Sequence, residues 1–411
     1  MFDEKHAADG QVDGPLEKDL EKKLDAKQLD AKQLEPFGNE ETAEIKYRTM
    51  KWWHCGMLMI AENVSVGILS LPSAVATLGM VPAAIMILFV SALSWYTGYV
   101  IGQFKLRHPE VHSMGDAGEI LMGPFGRELL GLGQLLLLIF LMASNILMFN
   151  ILMNVLTDHG TCTLVFGVVG LIICFLGALP RTMDKVYWMS VIFAHVAYFG
   201  FMSETEDPRT FNKSLAMLQI IDTVLYLVSA LLIYHYVGPE TATSPGVQSP
   251  AILSLSPLMG KIAWGISIPT TILSGVVLGH VACKYIYVRM FRGSDKMHRR
   301  SLVSIGSWVA ICLGVWVIAW IVAESIPVFN DLLSLISAVF GSWFSFGLPA
   351  IFWFYMNKGR YFQNWKKAVL TITNILVLAI AFAICGLGLW VSGVAIHEDS
   401  ATKSWSCANN A

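Results

Sequence analysis

The residues best placed to do chemistry form one short run, Asn63-Val64-Ser65-Val66-Gly67-Ile68-Leu69-Ser70-Leu71-Pro72, in the middle of the apolar stretch Trp52 to Gly79. Gly67 relaxes the backbone and Pro72 lacks an N–H, so the turn between them is expected to leave helical geometry and release amides and carbonyls. Freed amides at Gly67, Ile68 and Leu69, at the positive end of a half-helix, suit an anionic carboxylate. In hydrocarbon such backbone survives only where it is packed in protein or lines a cavity, and in secondary transporters interruptions of this kind hold substrate and coupling ions. The bland alternative is a kinked helix whose Gly and Pro merely permit close packing.

Other side chains extend the set. Glu62 precedes the break, and an acid at membrane depth is costly enough to suggest proton coupling. Asp222 and Glu324 lie nearer span ends, where solvated boundary positions account for them. His195 brings an imidazole in the run His-Val-Ala-Tyr-Phe-Gly, with a hydrogen-bonded packing role as the equal alternative. Ser267, Thr270, Thr271 and Ser274 recur at helical spacing near Pro269. They can offer hydroxyls to a cation, or simply back-bond to their own helix. Asn145, Asn150 and Asn154 share one region of a later span and read mainly as interhelical hydrogen-bonding groups.

These residues need a membrane around them. The 411-residue chain is 55% hydrophobic and 14% charged with a mean hydropathy of +0.58, against roughly 25% charged residues in soluble domains. An all-α integral membrane protein follows. A net charge of -2 without a basic face argues against nucleic acid. The seven cysteines show no CxxC and mostly fall in apolar runs, so neither a disulfide framework nor a metal cluster is indicated. No cofactor is implied. Without HExxH, GxSxG, paired carboxylates or a GxxxxGK phosphate loop, a membrane-embedded enzyme or an ATP-driven pump is the weakest reading.

Residues 1–47 read as a polar cytoplasmic tail holding the near-repeat Leu24-Asp25-Ala26-Lys27-Gln28 and Leu29-Asp30-Ala31-Lys32-Gln33. Asp3 and Glu4 do not fit a cleavable signal, so the first span is expected to direct insertion. Residues 48–393 form the membrane domain and residues 394–411 a short tail. About 20 helical residues cross a ~30 Å hydrocarbon layer. On that basis full spans are expected at Trp52 to Gly79, Val81 to Phe104, Leu129 to Leu156, Thr163 to Leu179, Leu215 to Val237, Ile262 to Val288, Leu302 to Ala323, Leu332 to Met356 and Ala368 to Val391. Lys and Arg orient them. Lys105, Arg107 and Arg127, then Arg181 and Lys185, Arg209 and Lys213, Lys284 to Arg300, and Lys358 to Lys367 mark cytoplasmic loops. The joints 157–161, 238–259 and 324–331 contain no Lys or Arg, only Lys403 follows the last span, and these segments face outward. The segment Val186 to Ser203 has basic loops on both sides, so it is expected to be half-length and to enter and leave on the cytoplasmic face. Gly98 with Gly102, and Gly275 with Gly279, have the spacing of close helix packing.

Three runs resemble the fungal neutral amino-acid permeases of the amino acid/auxin permease family. They are Ala61-Glu62 ahead of Gly67-Ile68-Leu69-Ser70-Leu71-Pro72, His280-Val281-Ala282-Cys283-Lys284-Tyr285-Ile286-Tyr287-Val288, and Ala323-Glu324-Ser325-Ile326-Pro327-Val328-Phe329-Asn330. The resemblance runs from Lys51 to Gly393 and implies the inverted-repeat, LeuT-like bundle with helices one and six unwound around the substrate. It further implies that Ser65, with the Gly67 to Leu69 amides, Asn145 and His195, meets a neutral amino acid, aromatic ones included. Glu62, Asn63, Thr271 and Ser274 would serve ion coupling, to a proton as in fungal relatives or to Na+. The plasma membrane is expected before the vacuolar one. One departure stands out: Met189-Ser190 runs almost directly into Val191 to Ala197, as though the fifth helix and the first half of the sixth, about fifty residues in the family, had been removed by a skipped or misassigned exon. The leading reading is a proton-coupled, alternating-access transporter; the alternative is a non-transporting isoform that inserts in the membrane.

Overall fold

The computed structural model describes residues 48–63, 66–180, 194–238, 246–247, 250–291, 294, 301–326, 329–398 and 404–408. Among these the chain is helical, with one isolated bridge between Met50 and Thr205. The first apolar stretch is broken into α1 (Trp52–Asn63), a 3-10 turn (Val66–Ser70) and α2 (Leu71–Leu78). Pro72 sits in the first turn of α2, where its missing N–H costs nothing. Gly79, at φ +86°, ends α2 and opens α3 (Met80–Arg107).

Next comes α4 (Met114–Thr157), 44 residues long. Its start is fixed by reciprocal bonds between Ser113 and Asp116, a capping box, and Gly123 kinks it at φ +68° directly before Pro124. Then follow α5 (Thr163–Gly177), α6 (Ala194–Glu204), α7 (Phe211–Val237), α8 (Pro257–Phe291) and α9 (Leu302–Ser325). The span beginning with α10 (Phe329–Ile336) passes through two π-helical turns, Ser337–Gly341 and Trp343–Gly347, into α11 (Leu348–Met356), and α12 (Trp365–Glu398) completes the bundle.

Among the described residues seven helices are long and apolar enough to cross a membrane, where nine spans were expected. The two expected spans that fall short are the first stretch, which is broken, and Thr163–Gly177, whose 15 residues rise only about 22 Å. Of the segment expected to be half-length, the described part is the helix α6, Ala194–Glu204. Residues 186–193 of that segment, and the N-terminal tail with its near-repeat, lie outside the described residues.

Polar links sort the helices into two groups. In the first, α4 and α8 run antiparallel, joined by Lys261 to Asp158 at 2.6 Å near one end, by Ser274 to Asn145 in the middle and by Arg289 to Glu128 near the other. α5 joins through Asn154 Nδ2 donating to Thr163 Oγ1 (2.9 Å), and α9 through Asn150 Nδ2 donating to Glu324 Oε1 (3.1 Å) and Tyr287 bonded to Ser304 (2.8 Å). In the second group, Ser214 Oγ of α7 donates to the Trp52 carbonyl of α1 (2.6 Å), and Gln219 Nε2 of α7 donates to Ser94 Oγ of α3 (3.2 Å). Tyr198 of α6 stacks edge-on against Phe211 with centroids 5.3 Å apart. The Gly98 and Gly102 pair does what its spacing implies: Leu215 and Phe211 press into the space a Cβ would need, at 2.9 and 2.8 Å. Gly275 and Gly279 likewise admit Cys174 and the Trp316 indole.

Lys284 of α8 and the Glu204 carboxylate of α6 cross between the groups at 2.6 Å, with side chains 4% and 2% exposed. This revises the placement of Lys284 in a solvated loop, because α8 continues to Phe291. A buried pair is costly to break because the survivor keeps an uncompensated charge. Lys284→Met is expected to destabilise the fold by about 3–5 kcal/mol. Lys284→Met combined with Glu204→Gln should recover most of that loss, and thermal unfolding of detergent-purified protein reads the difference.

Candidate functional site

The opened turn in the first apolar stretch is the first element of the site. Ordinary helix stops at Asn63 and resumes at Leu71. Ile68, Leu69 and Ser70 are half-buried. The 3-10 turn that carries them packs on α7 and on a second 3-10 turn, Ala251–Ser254, whose Ala251 and Ile252 are buried. The opening therefore faces protein, as irregular backbone in a membrane requires. Gly67 falls within the turn. Ser65 lies outside the described residues, as do the side chains of Glu62, Asn63 and His195, whose backbones belong to α1 and α6.

The second element is a polar row along α4. Asn145 is 8% exposed, donates to the Leu141 carbonyl (2.9 Å) and accepts from Ser274 Oγ. Ser274 also lies 3.1 Å from the Thr271 carbonyl, and Thr271 back-bonds to the Ser267 carbonyl at 3.1 Å. Thus Asn145, Ser274 and Thr271 are brought together, while the turn that carries Ile68 and Leu69 packs on α7 and the Ala251–Ser254 turn. Asn150 and Asn154 bond to α9 and α5, the interhelical role their spacing suggested.

Glu324 departs from its solvated boundary reading. It is 4% exposed and hydrogen-bonded to Asn150, beside Gly167 of α5, where a Cβ would stand only 2.4 Å from Glu324 Oε1. Asp222 is also buried, at 3% exposure. Distance from a span end says little about exposure once a neighbouring element covers that end.

Here the covering element is the C-terminal tail. Cys407 forms a disulfide with Cys162, correcting the expectation that no cysteines pair. Around it, the Trp405 amide donates to the Glu324 carbonyl (3.2 Å), Ser404 Oγ to the Ser325 carbonyl (3.0 Å) and Thr163 Oγ1 to the Ala408 carbonyl (2.7 Å). Trp405 stands edge-on to Trp320 with centroids 5.4 Å apart. One signal was available in sequence: Cys162 and Cys407 both fall outside the apolar runs, in joints the charge pattern assigns to the same side. Near the kink of α4, a cleft of about 260 Å³ is lined by Asp116, Glu119, Arg127, Tyr285 and Arg289. Its charges pair with one another, Arg127 with Glu119 at 3.1 Å and Arg289 with Glu128, so it is a salt-bridged surface rather than the expected substrate site.

A broken first helix, a polar row through the centre and seven long apolar helices define a polytopic α-helical membrane protein of transporter type. The profile of the family described as transmembrane amino acid transporter protein matches residues 48–203 and 193–394, and the chain belongs to that family. The chain is similar to the N amino acid transport system protein of Neurospora crassa, with 31% identity over 436 residues and 91% of each chain covered. It is 28% and 27% identical to proteins named transmembrane transporter from Gibberella moniliformis and Fusarium pseudograminearum, with 90% of each chain covered. The chain is therefore a transporter and not an enzyme.

A cross-link spanning 245 residues contributes about 2–4 kcal/mol through the unfolded chain. Cys407→Ser is expected to lower the thermal midpoint and to leave Cys162 open to maleimide. Alkylation followed by mass mapping of the wild-type protein under non-reducing conditions should recover the 162–407 cross-linked peptide.

Proposed function

We propose that this transporter carries neutral amino acids, aromatic ones included, by alternating access coupled to protons. The observation that supports it most is the sorting of the helices into two groups, each held by its own polar links. Two such bodies can rock against each other around a fixed site, as repeat-built transporters do. In this reading the amides of Gly67, Ile68 and Leu69 take the substrate carboxylate, with Ser65, Asn145 and His195 around it. Glu62, Asn63, Thr271 and Ser274 serve the coupling ion.

The bundle is read as the LeuT-like inverted repeat without the fifth helix and the first half of the sixth. Three observations favour that reading. The helix α6 ends beside the start of α1, with the Met50 amide donating to the Glu204 carbonyl at 3.2 Å. The family match falls in two pieces that overlap at residues 193–203. The alignment with the Neurospora relative, at 436 residues, is longer than this 411-residue chain. The disulfide joins two joints assigned outward by charge, and an oxidising exterior suits it. The N-terminal tail is then cytoplasmic and the membrane the plasma membrane.

Expression in yeast lacking neutral amino-acid uptake is the test. Saturable uptake of phenylalanine, stimulated by external acid, is expected. Ser274→Ala should lower that uptake about tenfold at unchanged surface expression, the equivalent of ~1.4 kcal/mol. Uptake no greater than in vector-only cells overturns the transport reading for this chain, and uptake indifferent to pH removes the proton.

A further inference from the structure

We infer that Glu324 is a further carrier of the coupled proton beside the coupling residues proposed above, with Asn150 as its switching partner; the inference rests on the proton-coupled reading above. Four observations converge on this carboxylate. It is 4% exposed in an apolar span. A neutral amide, Asn150 Nδ2, donates to it at 3.1 Å, and the neutral Trp320 indole stands in the same space beside Gly167. Gly167 leaves open the space that its Oε1 occupies, where a Cβ would approach to 2.4 Å. The disulfide-anchored tail closes the end of the helix above it through Trp405 and Ser404.

An acid held by a neutral donor in a dry site has two states close enough to exchange. Ionised, it is costly to bury but accepts from the amide; protonated, it is neutral and becomes a donor itself. Asn150 is built for both. Its Nδ2 serves the carboxylate, while its Oδ1 is buried with no hydrogen-bond partner among the described residues. A half-turn of that amide presents Oδ1 to a protonated Glu324. The proton comes from water at one face and returns to water at the other, with no bond made or broken except O–H.

The surroundings hold little that would pin the charge. On α9 the other titratable group is Cys312, and on α5 it is Cys174, both buried. On α4 the nearest are Asp158, paired with Lys261 at 2.6 Å, and His159, 2.9 Å from Asn154 Oδ1. On α8, Lys284 is committed to Glu204 and Arg289 to Glu128, and His280 packs edge-on against Trp308 of α9. The helix α4 also carries the signal inward. Asn150 stands five residues beyond Asn145, about 7.5 Å along the axis, so a change at Glu324 acts on the same rod that meets Ser274.

Purified wild type and Glu324→Gln, reconstituted in liposomes, are compared in two assays with labelled phenylalanine. One is exchange without a gradient; the other is accumulation driven by a pH difference. Glu324→Gln should keep exchange within about twofold while driven accumulation falls at least about tenfold, the equivalent of ~1.4 kcal/mol of lost coupling. Equal loss in both assays marks a merely structural residue and overturns the inference. Driven accumulation preserved in Glu324→Gln, with the wild type also driven, overturns Glu324 alone. A wild type that exchanges but does not respond to the gradient overturns the proton reading itself. Should the variant fold poorly, a hydrophobic carbodiimide, which attacks protonated buried carboxyls, reads the wild type directly. Adducts mapped to Glu324 should be more abundant at acidic than at alkaline pH, and labelling no greater at acidic pH overturns the inference.

Discussion

The row of asparagines on α4 is the constraint from which the rest of the bundle takes its arrangement. Asn145, Asn150 and Asn154 each bond to a different helix, α8, α9 and α5 in turn. Lipid offers no hydrophobic drive for one apolar helix to prefer another, so hydrogen bonds and close packing choose the neighbours. Three amides at successive heights therefore set which helix stands where, and small residues let them come close. Gly167 admits Glu324, and Gly275 lies 3.6 Å, measured from an ideal Cβ, from the Asn145 side chain. Ion pairs at both ends of the α4 and α8 contact hold the same register.

The C-terminal tail extends that logic beyond the membrane helices. Its bonds reach Glu324, Ser325 and Thr163, the residues at which α9 ends and α5 begins. Helix ends expose carbonyls that must find donors, and the tail supplies donors to two of them. The Cys162–Cys407 disulfide then makes this arrangement permanent in an oxidising medium. Segments far apart in the chain thus finish one another's hydrogen bonding at the end of the helix that carries Glu324.

Much of this was legible in the residues, and the failures share a cause. Gly67 and Pro72 announce a broken helix because they act on the backbone locally, and the break lies where they put it. The asparagine spacing foretold interhelical bonds, though not which helices would be met. What escaped depends on distant partners. The burial of Glu324 requires a tail about eighty residues away in sequence, the disulfide closes over 245 residues, and Lys284 is drawn into the core by Glu204 of another helix. Local pattern locates a charge relative to its own span; it does not reveal what other segment covers that charge.

The two bodies are not held together in the same way as each is held within itself. Amide and hydroxyl bonds inside the body built on α4 sit at several heights, so it cannot shear without losing several at once. Between them, the Lys284–Glu204 pair lies next to the bridge of Met50 with Thr205, at the point where α1 begins and α6 ends. An ion pair too costly to separate suits a hinge better than a sliding surface. In the proposed rocking motion that end would stay closed as a pivot while α1, with its opened turn, swings relative to α4. The polar row on α4 would then supply the fixed wall. Because Glu324 and Asn145 belong to that wall, a proton and a substrate bound near it would act on one rigid element, which is the simplest geometry by which one solute can drive another.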